Sequence, residues 1–283
     1  MAAFLQAARA EGICVEYSEA FYKTNPREKL QRVAEVIRRT TARVIVAFVE
    51  TGDMLVLLSE LALAPLQWIG SEAWVTDRNM LRFPQLAGAI GFSISHSVIP
   101  GLRDFLLDLG PEQVSRSPVL TEFWESAFGC SLGGGQSAAG RKPCDGKQNL
   151  RDLQNPYTDT SHLRISNMVY KAVYAIAHAM HSIICTDEPN TPPYCNTSIR
   201  VEPQQVTEHL RKVNFSRNGY KVSFDANGDP VATYELVNWQ VTRDGHMEFV
   251  TVGHYDASAP DGQVFIVNKN ITWAGGQPQV NSP

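Results

Sequence analysis

Short apolar runs alternate with amphipathic stretches through the first third of the chain. This is the pattern of a parallel sheet that is covered by helices on both faces. The predicted elements are a helix over Phe4–Glu11 that ends at Gly12, a strand over Ile13–Tyr17, a helix capped by Asn25-Pro26 with Leu30, Val33, Val36 and Ile37 on one face, a strand over Arg43–Phe48, a helix over Asp53–Leu63, and strands over Gln67–Gly70 and Gly88–Phe92. Joined by right-handed crossovers, these elements form a doubly wound α/β domain.

The pattern changes after Val98. It predicts helices over Pro100–Leu107 and Leu120–Phe128, a Gly-Ser-rich loop over Ser131–Gly140, a long helix over His162–Ile184, a shorter one over Pro203–Val213, and then a β-meander of strands Tyr220–Phe224, Val231–Trp239, His246–Tyr255 and Gln263–Val267 with turns at Asp225–Asp229 and Asp261-Gly262. The long helix carries an apolar stripe of Val169, Val173, Ile176, Ala177 and Met180, which we expect to be core.

Composition restricts the possible partners. The chain has 283 residues, of which 43% are hydrophobic and 19% charged, and a formal net charge of −4. It is long and apolar enough to fold, and it has no basic field for nucleic acid or an anionic membrane. The longest apolar stretch, Met168–Cys185, is interrupted by Lys171, His178 and His181, so we predict no transmembrane segment.

Cysteines and sequons indicate an oxidising compartment. Cys185 and Cys195 bracket a Pro-rich loop that a disulfide closes easily, and sequons begin at Asn196, Asn214 and Asn270. We therefore expect a secreted or lumenal chain, with a cytosolic protein containing buried thiols as the alternative. The N-terminus lacks the pattern of a signal peptide, so we expect a fragment. Two cysteine pairs fit locally, which leaves Cys14 odd, and we expect its partner in a segment outside this chain.

Several motifs weigh against catalysis. Gly129–Gly133 has the G-x-S-x-G pattern of serine hydrolases but follows a predicted helix, whereas the mechanism needs a strand-to-helix turn. His178 and His181 have a metal-compatible spacing without a Glu or Cys beside them, and Asp225–Asp229 lacks the glutamate of a calcium loop. No nucleophile, base and oxyanion donor converge, so we predict no enzyme activity.

The run Gly70–Trp74 contains the strongest candidate site residue. It closes a buried strand and places Glu72 between small residues and an indole. Because open α/β sheets bind ligands at the carboxyl ends of their strands, Glu72 can bind a small cationic ligand. The alternative is a structural carboxylate at a strand end.

A resemblance gives these predictions a context. The matching blocks are Ala42–Phe48, Trp68–Trp74, Gly88–Phe92, Glu122–Glu125, Phe128–Cys130, His162–Ser166, Tyr170, Ala172–Tyr174, Ile176–Ala179, Trp239 and Ile271–Gly276. In collinear order over nearly the whole chain, they resemble the ligand-binding ectodomain of family C G-protein-coupled receptors. They are most similar to its calcium-sensing, vomeronasal type 2 and fish olfactory C groups.

The resemblance implies a partial periplasmic-binding-protein-like (Venus flytrap) bilobed module. Residues 1–95 would be the main part of lobe 2, residues 96–216 the second half of lobe 1, and residues 217–283 a β-rich return to lobe 2 before a cysteine-rich stalk. It also implies that Cys130 pairs with Cys144, that Cys185 pairs with Cys195, and that Cys14 joins the stalk.

For function, the resemblance implies an amino-acid sensor that signals by lobe closure. Glu72 would face the ligand's amino group, and the implied contact residues are Glu72, Ser71, Trp74, Glu50, Arg164 and Ile165. Because half of lobe 1 is absent, we expect this chain to bind weakly or not at all. Val49-Glu50 adds a carboxylate at the cleft rim, which favours a basic or neutral ligand side chain. Ile165 stands at the position where receptors for acidic ligands carry a basic residue, and Arg164 lies next to it in the sequence. Whether Arg164 takes over that role stays open.

The resemblance also implies partners for the parent receptor. These are a second family C chain in a dimer, a G protein reached through a seven-helix domain, and Ca²⁺ as a possible co-ligand, at the extracellular side of the plasma membrane. The alternative function is a soluble, secreted binding or decoy protein of the same fold.

Overall fold

The chain forms two compact units. The computed structural model describes residues 2–61, 66–133, 140–153, 158–161, 163–186, 194–217, 220–260 and 262–276. The first unit combines Met1–Ser95 with Pro230–Pro283, and the second is His96–Asp229. The chain thus returns from the second unit to the first between Asp229 and Pro230. The sequence analysis predicted this return at residue 217. Which lobe each unit represents stays a prediction.

The beginning of the first unit contains a parallel sheet. Its elements are α1 (Ala2–Ala10), α2 (Arg27–Arg39), β1 (Val44–Ala47), α3 (Thr51–Glu60), β2 (Gln67–Gly70), α4 (Glu72–Val75), two 3₁₀ turns (Arg78–Arg82 and Pro84–Leu86) and β3 (Ile90–Ile94). The β2 strand pairs in parallel with β1 on one side and with β3 on the other. This confirms the prediction of an α/β unit with a parallel sheet.

Three local predictions here need correction or fall outside the described residues. The prediction of a strand over Ile13–Tyr17 is wrong, because this segment forms no β-ladder with any other described part of the chain. Asn25 does not cap α2, because its side chain accepts the Tyr22 N–H at 2.9 Å and Pro26 occupies the cap position. The α3 helix ends at Glu60, and residues 62–63 of the predicted helix lie outside the described part.

The second unit is mainly helical. Its elements are α5 (Leu102–Leu107), α6 (Pro111–Val114), α7 (Pro118–Phe128), β4 (Cys130–Ser131), β5 (Lys142–Pro143), a 3₁₀ turn (Leu150–Asp152), α8 (Ile165–Ile184), β6 (Cys185–Thr186), β7 (Tyr194–Cys195), α9 (Pro203–Leu210), β8 (Asn214–Arg217) and β9 (Tyr220–Ser223). The predicted helix start at His162 and most of the Gly-Ser loop, residues 134–139, lie outside the described residues.

The apolar stripe of α8 is not core, contrary to the prediction. All five of its residues are exposed, with Val173 at 60%. The buried face instead carries Asn167, Ala175 and Ala179. The alanines belong to a cluster with Val213, against which apolar side chains of α9, β8 and β9 pack. The small side chains allow close approach, so α9 and the hairpin cover this face of α8 and leave the larger apolar residues uncovered.

The chain then returns to the first unit with β10 (Thr233–Val241), β11 (Met247–Asp256), β12 (Phe265–Val267) and a 3₁₀ turn (Ala274–Gly276). The described sheet has the order β1-β2-β3-β10-β11-β12, and β10 is antiparallel to both β3 and β11. The predicted meander is therefore correct only for its last three strands. Its first strand, β9, instead pairs with β8 in the second unit. The sequence analysis did not predict a strand at Asn214–Arg217, so it missed this partner. Of the turn residues, Asp261 lies outside the described part.

Candidate ligand-binding site

The loops that follow β1 and β2 meet at the carboxyl end of the parallel sheet. Glu50 occupies the cap position of α3, and Ser71 occupies that of α4. The Thr51 hydroxyl donates to the Ala73 carbonyl at 2.7 Å and so joins the two helix starts. This is the edge where open α/β sheets bind ligands.

Glu72 is the first residue of α4 and is half-buried. Its carboxylate accepts the Ile94 N–H at 2.6 Å and the Thr76 hydroxyl at 3.2 Å. The first bond reaches the last residue of β3, so the carboxylate spans the ends of two neighbouring strands. The fold thereby holds a negatively charged group in a fixed position at the sheet edge.

Trp74 has a structural position. Its indole is fully buried, donates to the Ala47 carbonyl at 3.1 Å, and packs edge to face against Trp239 at 5.8 Å. A Cβ on Gly70 would lie 2.4 Å from this ring, so glycine is what lets the indole sit against β2. Since no part of Trp74 is exposed, its predicted ligand contact is not available in this structure, and the residue instead positions α4 and Glu72.

An open cleft of about 610 Å³ lies at this sheet edge, lined by the two sequence neighbours of Glu72 but not by Glu72 itself. Glu50, Ser71 and Ala73 line it, and so do the carboxylate residues Glu19 and Asp53. Sequence reasoning missed Glu19 and Asp53. Asp53 lies three residues after Glu50, in the first turn of the helix that follows β1, so the strand-end rule could have identified it.

The cleft wall is fixed by the fold. The Asp53 carboxylate accepts the Lys23 N–H at 2.6 Å, which ties the segment before α2 to the start of α3. Lys23 also lines the cleft and is its one lysine or arginine among the described residues. Three carboxylates against one ammonium group make the cleft electronegative, which favours ligands with a positive charge.

The remaining predicted contact residues lie in the second unit. Arg164 is half-buried at the cap position of α8, and Ile165 is the exposed first residue of that helix. The backbone beside them is held by the Leu163–Ser97 bridge. The structure thus brings Glu50 and Ser71 into one cleft, places Glu72 at the same sheet edge, and places Arg164 and Ile165 together at one helix start.

Both disulfides implied by the resemblance are present, Cys130–Cys144 and Cys185–Cys195. Cys14 is an exposed free thiol. A further cluster, His181 with Cys185 and Cys195, has the spacing of metal ligands, but its two sulfurs are already bonded to each other. It therefore does not offer thiolate ligands to a metal in this oxidised form.

The hydrolase-like motif has no catalytic arrangement. Cys130 is disulfide-bonded, and the Ser131 hydroxyl donates to the Glu125 carboxylate at 3.0 Å. That carboxylate also accepts the Leu132 N–H, and these hydrogen bonds lower the pKa of Glu125. Its lowered pKa makes Glu125 a poor general base, so it serves to hold the chain after α7. His178 stacks on Phe215 at 4.2 Å.

Asn214 and Asn270 of the sequons are exposed and Asn196 is partly exposed, so glycosylation of all three stays a prediction. None of the described helices combines the length and apolar character that crossing a bilayer requires.

Comparisons with known proteins agree with this architecture. A family model described as "Receptor family ligand binding region" matches residues 1–242. The chain is 35% identical to the extracellular calcium-sensing receptor of Homo sapiens and 34% identical to those of Mus musculus and Bos taurus. Each alignment covers 98% of this chain but only 29% of the relative. The matched family has a periplasmic-binding-protein-like fold and is not enzymatic. The chain therefore belongs to the family C receptor ligand-binding regions and is related to the extracellular calcium-sensing receptor.

Proposed function

We propose that this chain is part of the extracellular ligand-binding region of a family C G-protein-coupled receptor that senses an amino acid or a related small molecule. The observation that carries the proposal is the fixed carboxylate of Glu72, held by the Ile94 N–H at the carboxyl edge of the sheet. A primary ammonium group is the natural partner of a carboxylate in such a position.

Closure of two lobes would convert binding into a signal. Residues 1–95 and 230–283, the first unit, would form lobe 2, and residues 96–229, the second unit, would form part of lobe 1. A ligand held by Glu72, Ser71 and Glu50 that gains further contacts only when the lobes close would bind the closed state more tightly. This difference in affinity shifts the equilibrium towards closure.

The electronegative cleft suggests the ligand's side chain. Glu50 is exposed and shares the cleft with Asp53 and Glu19. A ligand with a second carboxylate would be repelled by these groups, whereas a basic or neutral side chain would be accepted. The intact parent receptor should therefore respond more strongly to basic or neutral amino acids than to acidic ones.

The wider assignments that the family resemblance implies are part of the proposal. They include a plasma-membrane receptor of calcium-sensing, vomeronasal or olfactory type, a dimer with another family C chain, coupling to a G protein, and Ca²⁺ as a possible co-ligand. The glycosylated sequons would lie on the extracellular side.

The function is tested by calorimetric titration of the parent ectodomain with the twenty amino acids. We expect saturable binding of at least one neutral or basic amino acid. A Glu50→Gln variant should reduce the difference in affinity between basic or neutral amino acids and acidic ones. Glu248→Gln, at an exposed position on β11, serves as the matched control. An ectodomain that binds none of the twenty would contradict amino-acid sensing, and stronger binding of aspartate or glutamate would contradict the role of Glu50.

A further inference from the structure

Three amide side chains hold the segment that carries the third sequon against the sheet of the first unit. We call residues 268–274 the strap, and Gln67, Asn238 and Gln240 the amide clamp. Gln67 lies on β2, and the other two clamp residues lie on β10. The sequon that begins at Asn270 lies within the strap, so the clamp and a glycosylation signal occupy the same stretch of chain.

Asn238 holds the last residue of the sequon. Its side chain is fully buried, its Oδ1 accepts the Thr272 N–H at 2.8 Å, and its Nδ2 donates to the Thr272 carbonyl at 3.0 Å. The same Nδ2 donates to the Ala89 carbonyl at 3.1 Å, which ties the pair to the residue before β3. Both backbone groups of Thr272 are therefore bonded inside the protein, and separating the pair would leave buried polar groups unsatisfied.

The other two clamp residues fix the strap on both sides of this threonine. Gln240 Nε2 donates to the Asn270 carbonyl at 3.0 Å, and Gln67 Oε1 accepts the Ala274 N–H at 3.0 Å. Gly88 lets the strap come close to the sheet, because a Cβ there would lie 2.4 Å from the Ala274 nitrogen. The strap is thus bonded before, at and after the sequon threonine.

A sequon is read at two positions. The motif requires a hydroxyl residue two after the asparagine, so the transferase contacts that residue as well as the asparagine that it modifies. In the clamped strap the Asn270 side chain is exposed, whereas Thr272 is partly buried and bonded to the clamp. The exposed asparagine leaves room for an attached glycan, but the enzyme reaches both positions only when the strap leaves the sheet.

The first sequon provides an internal comparison. Asn196 is partly exposed, and its hydroxyl residue, Ser198, is exposed. The Ser198 N–H donates to the Asn196 side chain at 3.1 Å, and the Asn196 N–H donates to the Ile184 carbonyl at 3.0 Å. The hydroxyl residue of this sequon is therefore accessible in the folded chain, and the amide clamp does not hold it.

We propose that glycosylation of Asn270 competes with folding: a glycan is added only before the strap docks, and the amide clamp closes the site afterwards. In the transfer, the Asn270 Nδ2 forms a bond to the anomeric carbon of a lipid diphosphate oligosaccharide. The bond from that carbon to the phosphate oxygen breaks, the lipid diphosphate leaves with the electron pair, and one Nδ2 proton passes to a base of the transferase.

This proposal rests on the secretory location that the cysteines and sequons predict, and it is independent of the ligand proposed above. Its consequence is that Asn270 occupancy reports how fast the first unit closes around the strap. A chain that folds slowly would carry the glycan more often than a chain that folds quickly.

The test uses the folded, unglycosylated chain with both disulfides formed, a purified oligosaccharyltransferase and a lipid diphosphate oligosaccharide donor. Two synthetic peptides, residues 194–202 and residues 266–276, present the same sequons without the fold. Mass spectrometry gives the transfer rates at Asn196 and Asn270 in the chain and in the peptides. The compared quantity is the chain-to-peptide ratio of rates at each site.

We expect this ratio to be at least about tenfold lower at Asn270 than at Asn196, because only the small population with an open strap is a substrate. Changing Gln67 and Gln240 together to methionine removes the bonds to Ala274 and Asn270 and should raise the Asn270 rate by about threefold or more. Gln263→Met, at an exposed position in the first unit, is the matched control and should change neither rate.

Equal ratios at the two sites, whether both are high or both are low, would overturn the proposal. An unchanged Asn270 rate in a folded chain without the two glutamines would also overturn it, because the clamp would then not be what closes the site. If that double variant fails to fold, the comparison of the two sites in the unmodified chain still decides the matter.

Discussion

Replacing Gly70 with alanine should destabilise the first unit by about 2 kcal/mol. The new Cβ would lie 2.4 Å from the Trp74 ring, whereas ordinary contact begins at 3.4 Å, so the indole must move by about 1 Å. Trp74 is fully buried, packs against Trp239 and donates to the Ala47 carbonyl, so the movement strains each of these contacts.

The magnitude follows from opposing effects. Overpacking of a core costs about 1–3 kcal/mol, and weakening the indole hydrogen bond costs about 1 kcal/mol. Alanine restricts the unfolded chain and returns about 0.4–1 kcal/mol. The net cost is therefore close to 2 kcal/mol, and the packing terms outweigh the backbone gain.

Urea unfolding followed by tryptophan fluorescence measures this cost. Trp68, Trp74 and Trp239 are all buried in the first unit and report its core. Gly110→Ala is the matched control, because its Cβ would meet only the Gln113 side chain, at 3.8 Å. A Gly70→Ala protein within about 0.5 kcal/mol of the unmodified chain, the range of neutral surface changes, would refute the packing argument.

Three further predictions concern pH, a disulfide and α8. Hydrogen bonds from the Thr40 side chain and from the backbone that follows it lower the pKa of Glu16. The ionised carboxylate therefore stabilises the folded protein fully above the ordinary glutamate pKa range, and this stabilisation is lost as the pH falls through the lowered pKa. Glu16→Gln should destabilise the protein at neutral pH, and the difference in melting temperature between variant and unmodified protein should shrink at acidic pH. Changing Cys130 and Cys144 to serine removes the cross-link between residues 14 positions apart and should lower the free energy of unfolding, measured in urea, by about 3 kcal/mol. Ala179→Leu, at a fully buried position, should lower the free energy of unfolding by about 1–3 kcal/mol, whereas Val173→Ser, at an exposed position, should change it by less than about 0.5 kcal/mol. Equal effects of the two changes in thermal melts would contradict the assignment of the buried and exposed faces of α8.

The sequence predicted elements well where local pattern and pairing partner agree. The β2 strand was predicted at its observed bounds because its apolar run lies between two parallel neighbours. Ile13–Tyr17 has an equally good strand pattern but no described partner, and a strand needs one. For α8 the periodicity identified a helix with an apolar stripe, but only the positions of α9 and the β8–β9 hairpin decide which face is covered.

The site divides in the same way. The resemblance implied Glu50, and the strand-end rule located Glu72 at the carboxyl edge of the sheet, because that rule depends only on strand order along the chain. It did not predict that Glu72 accepts the Ile94 N–H, since that bond depends on how β3 is placed beside β2. The resemblance implied a ligand contact for Trp74, because a sequence does not show that the indole turns inward against Gly70.

The central claim is that the Glu72 carboxylate anchors the amino group of the ligand. Calorimetric titration of the parent ectodomain with its best amino acid, beside Glu72→Gln and the exposed control Glu248→Gln, tests it most directly. Glutamine keeps an oxygen that can accept the Ile94 N–H but removes the charge, so we expect binding to weaken by about 10- to 100-fold, with an unchanged melting temperature and normal binding by the control. Undiminished binding by a folded Glu72→Gln ectodomain would contradict the claim and place the amino group elsewhere.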